Sequence, residues 1–317
     1  MWRRRCFYCA IMVRQMSFQN ELKSRTEKAE ETVRQYLPGT TLHQHTVTEA
    51  MGYSVMAGGK RLRPVMMQAA FEMCGGKSGI EPFMAAIEMI HSYSLVHDDL
   101  PEMDNDELRR GKPTTHIQYG QAMAVLAGDG LLNYAYETVL AHAKEAEDKE
   151  AYIKAMALLA NKAGIFGMVG GQCLDVEAEK KGMELSEEQL LFVYENKTAA
   201  LLQASLMCGA LLAGDDAAAA VFEKAGYDLG IAFQLQDDIL DIESTTQELG
   251  KPVGSDERNG KKTYVSYLGM ERAKKEQERL SAEAVAMIEK IQVSGDEQGS
   301  AKQFLMELIS SLCNRRK

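Results

Sequence analysis

Residues 91–112 read HSYSLVHDDLPEMDNDELRRGK. An apolar run ends in the adjacent pair Asp98 and Asp99, Pro101 follows, a third carboxylate stands at Asp104, and Arg109 and Arg110 lead to Lys112. Proline disfavours helix at the residue before it, so a helix entering this stretch stops near Leu100. The run carries none of the alternating Val, Ile and Thr that marks a strand. His91, Ser94 and Asp98 share one helical face, whereas Asp104 cannot join it by helical spacing. A bend at Pro101 would bring Asp104 back towards Asp98.

The helical pattern extends in both directions. No proline occurs between Pro113 and Pro252, so nothing in that span forces a break. Spacing predicts helices over residues 17–36, 46–57, 62–74, 80–99, 117–127, 129–146, 148–167, 170–181, 186–213, 215–242, 270–293 and 297–313. Ser186 and Gln189 have capping-box spacing, and Gly75, Gly76 and Gly295 make natural stops. Ala155–Ala160 and Leu206–Ala213 have little polar face, so other helices are expected to surround them. No linker, repeat or low-complexity tract divides the chain. The expectation is one large all-α domain over residues 16–317, with residues 243–262 as a lid.

Composition narrows the function. The chain has 317 residues, 45% of them hydrophobic and 26% charged, with a net charge of −10. That balance argues against a nucleic-acid partner, which needs a basic face. No uninterrupted apolar run reaches the roughly 20 residues that span a bilayer. Cys6 and Cys9 have zinc spacing but no second pair to complete a site. Cys74, Cys173, Cys208 and Cys313 read as small buried hydrophobes in a reducing compartment, which points to the cytoplasm. The first fifteen residues carry four arginines and no acid, and without them the net charge would be −14. They read as an extraneous or disordered extension.

A second acidic cluster lies in FQLQDDILD, residues 233–241. Gln234, Asp237, Asp238 and Asp241 fall at i, i+3, i+4 and i+7, a single stripe flanked by apolar residues. Buried carboxylates cost several kcal/mol each unless a cation meets them, so the stripe needs a metal, a basic side chain or a wet cleft. Oxygen-only ligands fit Mg2+, which usually bridges carboxylates to phosphates. The acids do not alternate as an EF-hand loop requires. A phosphate partner calls for cations. Gly58–Pro64 reads GGKRLRP, Arg109, Arg110 and Lys112 follow the first acids, and Lys251 follows the second.

These motifs together resemble the trans-isoprenyl diphosphate synthases. DDLPEMD with DELRRGKPT, FQLQDDILD, GGKRLRP, GQCLD and the Lys197–Thr198 pair all match in type and spacing, from about Met16 to the end. The likeness is strongest to the bacterial farnesyl-producing branch. It implies antiparallel helices around a deep central cavity, and a homodimer. By this resemblance Asp98 and Asp104 hold two Mg2+ ions and Asp237 a third, supported by Asp99, Asp238 and Asp241. Lys60, Arg63, His91 and Arg110 would bind the diphosphate of isopentenyl diphosphate. Arg109, Lys197, Thr198, Gln234 and Lys251 would bind the allylic diphosphate.

The implied reaction is Mg2+-assisted ionisation of the allylic substrate and head-to-tail attack by isopentenyl diphosphate, with no protein nucleophile. In the family, bulky residues before the first aspartates floor the cavity, and Tyr93 is the candidate here. An ideal helix puts position 93 about 140° from position 98, with the small Ser94 stacked under Asp98. Two extra residues within 100–103 also suit a farnesyl product. The alternatives are a geranylgeranyl or longer-chain synthase, a terpene cyclase, a non-catalytic subunit and an acidic calcium-binding protein. The basic tail Asn314–Lys317 is a candidate cover for the bound diphosphates.

Overall fold

The computed structural model describes residues 2–40, 43–243, 263–292 and 299–313. Those residues are helical apart from turns, loops and one hairpin. The helices are α1 (Trp2–Tyr36), α2 (His45–Val55), α3 (Leu62–Met73), α4 (Glu81–Asp98), α5 (Thr115–Tyr119), α6 (Gln121–His142) and α7 (Lys149–Ala163). There follow α8 (Met168–Lys181), α9 (Glu187–Val193), a π-helical turn (Tyr194–Ala199), α10 (Ala200–Leu212) and α11 (Asp216–Glu243). The last three are α12 (Tyr264–Leu268), α13 (Met270–Lys290) and α14 (Ser300–Cys313). Strands β1 (Leu108–Arg109) and β2 (Lys112–Pro113) pair antiparallel.

Two helices form the inner layer. Every residue of α10 from Ala200 to Ala210 is buried, and α3, α7 and α11 pack around it. Helix α4 is buried from Pro82 to Ile90 and packs chiefly on α6. The apolar run at 206–213 is half-buried at Leu211, Leu212 and Ala213, at the helix end, and interior as far as Ala210. A truncation such as Leu206→Ala would cost about 2–5 kcal/mol there.

The structure differs from expectation in several places. Ala157 and Ala160 are exposed, so α7 is an outer helix despite its alanines. Alanine adds too little area to force burial. Cys173 is exposed, whereas Cys74, Cys208 and Cys313 are buried. The break expected near residue 128 falls instead at Gly120, and α6 runs through Gly128. Helix α1 begins at Trp2 rather than at residue 17. By length and composition, Lys149–Lys181 could cross a membrane. Turns at 164–167 divide it into α7 and α8. The capping box at Ser186 and Gln189 is present. Gly295, residues 244–262 and the basic tail lie outside the described residues, so the lid and cover expectations do too.

Candidate active site

The chain bends after α4 as Pro101 requires. Asp104 N–H donates to the Asp98 carbonyl at 2.9 Å, and Met103 N–H donates to the Leu100 carbonyl at 2.9 Å. This turn brings Asp104 back beside Asp98. Asp104 is exposed to solvent, while Asp98 lines a cavity of about 750 Å3 together with Arg63, His91, Tyr93, Lys197, Thr198, Gln234 and Asp237. Its wall is otherwise largely apolar, with Met168, Val169, Val176 and Phe233. Five separate parts of the chain thus converge on one mouth.

Burial raises the Asp98 carboxyl to about 6, with Asp104 and Asp99 adding and Lys197 opposing. Gln172 Nε2 donates to Asp98 Oδ1 at 2.7 Å. Asp99 faces the other way and is buried. Its carboxylate accepts from Arg109 Nε at 2.8 and 2.9 Å and from Nη2 at 2.5 Å. Arg109 therefore commits its guanidinium to Asp99, with Asp106 at 3.5 Å from Nη2. Burial still raises Asp99 above the usual carboxylate range.

The cations sort themselves by burial. Arg61 has no exposed side-chain surface; it donates to Glu88 Oε1 at 2.8 Å and to the Val55 carbonyl at 2.7 Å. It is a strut, leaving Lys60 exposed and Arg63 in the cavity wall. Arg63 Nε is buried without a partner. Burial lowers Arg63 to about 10; Arg110 adds to this and Glu88 opposes it. Burial, then Arg63, Arg110, Arg109 and Arg61, push His91 well below 6.5, so it is neutral at physiological pH. Arg110 Nη1 donates to the Gly58 carbonyl, tying β-hairpin to glycine turn. Such a cluster of cations suits an anion.

The opposite wall is built by the π turn and α11. Lys197 Nζ donates to Asp175 Oδ2 at 2.5 Å, and Thr198 Oγ1 to Gln234 Oε1 at 3.1 Å. Gln234 Nε2 continues to Asp238 Oδ1 at 3.1 Å, and the Tyr194 hydroxyl donates to Asp238 Oδ2. Tyr264 N–H donates to the Tyr194 oxygen at 2.9 Å. A Cβ on Gly171 would stand within 2.9 Å of Lys197 N and of Asn196 atoms, so only glycine lets α8 meet this turn. The acidic stripe divides: Gln234 and Asp237 face the cavity, while Asp238 and Asp241 are buried.

Of the sequence-derived candidates, Arg63, His91, Tyr93, Asp98, Lys197, Thr198, Gln234 and Asp237 line one space. Asp99, Arg109 and Arg110 line a small adjoining pocket. Lys251 lies outside the described residues. Gln172, Asp175, Tyr194 and Tyr264 carried no role in the sequence reading. Gln172 and Asp175 sit three apart in GQCLD, the i, i+3 spacing of a shared face, which was a usable signal. Nothing local marked the two tyrosines.

Among the described residues, no three His, Cys, Asp or Glu side chains are grouped closely enough to hold a metal ion alone. Separated carboxylates at the mouth, all oxygen donors, fit an ion shared between protein and a phosphate better than a protein cage.

Known proteins are similar in sequence and share this fold. A sequence profile described as Polyprenyl synthetase matches residues 44–297. The chain is 42% identical over 296 residues to a farnesyl diphosphate synthase of Geobacillus stearothermophilus, covering 93% of this chain and 96% of the relative. It is 42% identical over 265 residues to a geranylgeranyl diphosphate synthase of Cyanophora paradoxa, covering 83% and 87%. The apo crystal structure of an FPP/GFPP synthase from Zymomonas mobilis superposes with a TM-score of 0.82 at 30% identity, covering 94% of this chain and 99% of that one. With that profile matching most of the chain and a relative 42% identical along nearly its whole length, the chain belongs to the polyprenyl synthetase family.

Proposed function

We propose that the protein is a trans-prenyltransferase that joins isopentenyl diphosphate to dimethylallyl and then geranyl diphosphate, releasing pyrophosphate and making farnesyl diphosphate. The observation that carries this reading is a largely apolar cavity of about 750 Å3 with carboxylates and cations at one rim. A prenyl chain has that polarity: a diphosphate at one end, hydrocarbon beyond.

Asp98, Asp104 and Asp237 are the residues that would hold Mg2+ against the allylic diphosphate, with Asp99 and Asp238 in support. The ion supplies positive charge for a departing pyrophosphate. Lys197, freed from Asp175, and Thr198 stabilise charge on the same group. Lys60, Arg63, neutral His91 and Arg110 grip the second diphosphate, and Lys251 adds to the allylic side. The allylic C–O bond then breaks, and the double bond of isopentenyl diphosphate attacks the carbocation. The released pyrophosphate takes the proton. The apolar walls keep water from the cation.

Tyr93, buried in the cavity wall, favours a fifteen-carbon limit over the geranylgeranyl product that some relatives make. Exposed Val125, Leu126, Ile165 and Phe166 offer apolar area that a second copy would cover, which supports a homodimer. Buried free Cys74, Cys208 and Cys313 support a cytoplasmic setting for a domain spanning residues 16–317. The test is incubation with Mg2+, isopentenyl diphosphate and each allylic starter. A fifteen-carbon product is expected, and no elongation at all would refute the reading. Light scattering should give twice the chain mass.

A further inference from the structure

We propose that His97, seated on Gly128, is a positioning residue that holds Tyr93 across the cavity and thereby fixes product chain length. The proposal rests on Tyr93 as the floor, as argued above.

Tyr93 and His97 are one helical turn apart on α4, and both line the cavity. Their rings meet edge to face, 5.8 Å between centroids at 79°. Edge-to-face packing is the favoured geometry for such rings. The Tyr93 hydroxyl is buried without a hydrogen-bond partner, so no polar contact selects its rotamer. Packing must do so, and a ring with free χ1 has other staggered wells to enter. Ser94, the other candidate beside the cavity, turns its hydroxyl back to the His91 carbonyl at 2.9 Å.

His97 is itself held from outside α4. Its Nε2 lies 3.2 Å from the Val125 carbonyl and 3.9 Å from Asp129 Oδ1, both on α6. A Cβ at position 128 would stand within 2.8 Å of ring atoms Nε2, Cδ2 and Cε1. The imidazole therefore lies directly on the Gly128 backbone. Any side chain at 128 would have to push His97 off its seat, and the Tyr93 ring would lose its neighbour. Gly128 does not line the cavity, yet the shape of the cavity floor depends on it.

The experiment measures the ratio of C20 to C15 product from isopentenyl and geranyl diphosphate for His97→Ala, Gly128→Ala, the double variant and Tyr93→Ala. Each of the first three should raise that ratio about tenfold, the lower range of what one packing contact contributes to discrimination. The double variant should match His97→Ala, because both changes act through one contact. The ratio does not depend on how much enzyme is folded, so general destabilisation leaves it unmoved. If Gly128→Ala fails to fold, His97→Ala alone decides. An unchanged ratio in His97→Ala beside a raised one in Tyr93→Ala overturns the brace and spares the floor. An unchanged ratio in Tyr93→Ala overturns both.

Discussion

The side-chain amide of Gln172 donates a 2.7 Å hydrogen bond to Asp98 Oδ1, joining α8 to the end of α4. The bond fixes the carboxylate between two helices before any ligand arrives. Residues that orient a metal ligand typically matter 10–100-fold in affinity or activity. Gln172→Ala should therefore lower kcat/KM by roughly 10–100-fold and raise the Mg2+ concentration needed for half activity. Steady-state rates across a Mg2+ titration check this, and an unshifted Mg2+ midpoint would count against it.

The Tyr194 hydroxyl serves two buried partners, donating to Asp238 and accepting from Tyr264 N–H. Tyr194→Phe keeps the ring, leaves the Tyr264 N–H without its acceptor and removes one of the hydrogen bonds to Asp238, which keeps Gln234. An unsatisfied buried polar group costs about 1–3 kcal/mol. In a chain this size, Tm should fall by roughly 2–6 °C, and activity should fall with it. Scanning calorimetry measures the first and product formation the second; a variant as stable as the parent would contradict the account.

Asp98 gives the metal-free protein a defined pH dependence. Its folded pKa of about 6 exceeds the ordinary 3.8, chiefly through burial. Between these values the folded state binds more protons than the unfolded state, so this group makes stability fall as pH rises through that window. Asp98→Asn removes the penalty. The variant's Tm advantage over the parent, measured in EDTA, should grow from pH 4.5 to 6.5 and then level off. An advantage independent of pH would refute the assignment.

Arg63, His91 and Arg110 crowd positive charge and donors where Arg63 Nε has no partner. Inorganic pyrophosphate should relieve this even without metal. A ligand at 100 times its Kd stabilises by about 2.7 kcal/mol. Saturating pyrophosphate in EDTA should raise Tm by several degrees in the parent and much less in Arg63→Gln. Equal shifts in both would show that the anion binds elsewhere.

Much of the site was legible because its chemistry repeats locally. Asp98, Pro101 and Asp104 define a turn by steric rules alone, and the backbone bond from Asp104 to Asp98 bears that out. The stripe of Gln234 and Asp237 follows from helical period. The all-helical fold was legible from missing prolines and missing strand alternation. What escaped depends on contacts between distant segments. Arg61 reads like its neighbours Lys60 and Arg63, yet Glu88, 27 residues on, draws it into the core. Tyr194 and Tyr264 meet across 70 residues with no local sign. The hairpin at 108–113 is too short for any periodicity to register.

The π turn at Tyr194–Ala199 has a consequence for how this chain can be altered. A π turn accommodates one more residue than the α-helix it interrupts. Removing one residue there would restore regular winding and leave α9 and α10 in phase, but the residues inside the turn would have to share one fewer place around the axis. Either Tyr194 would leave Asp238 or Lys197 would leave the cavity; both cannot keep their places. Length changes elsewhere, such as in the loop between α6 and α7, leave that phase alone. In grafting or recombining synthases, a crossover inside 194–199 should therefore be less forgiving of alignment errors than one in the loop between α6 and α7.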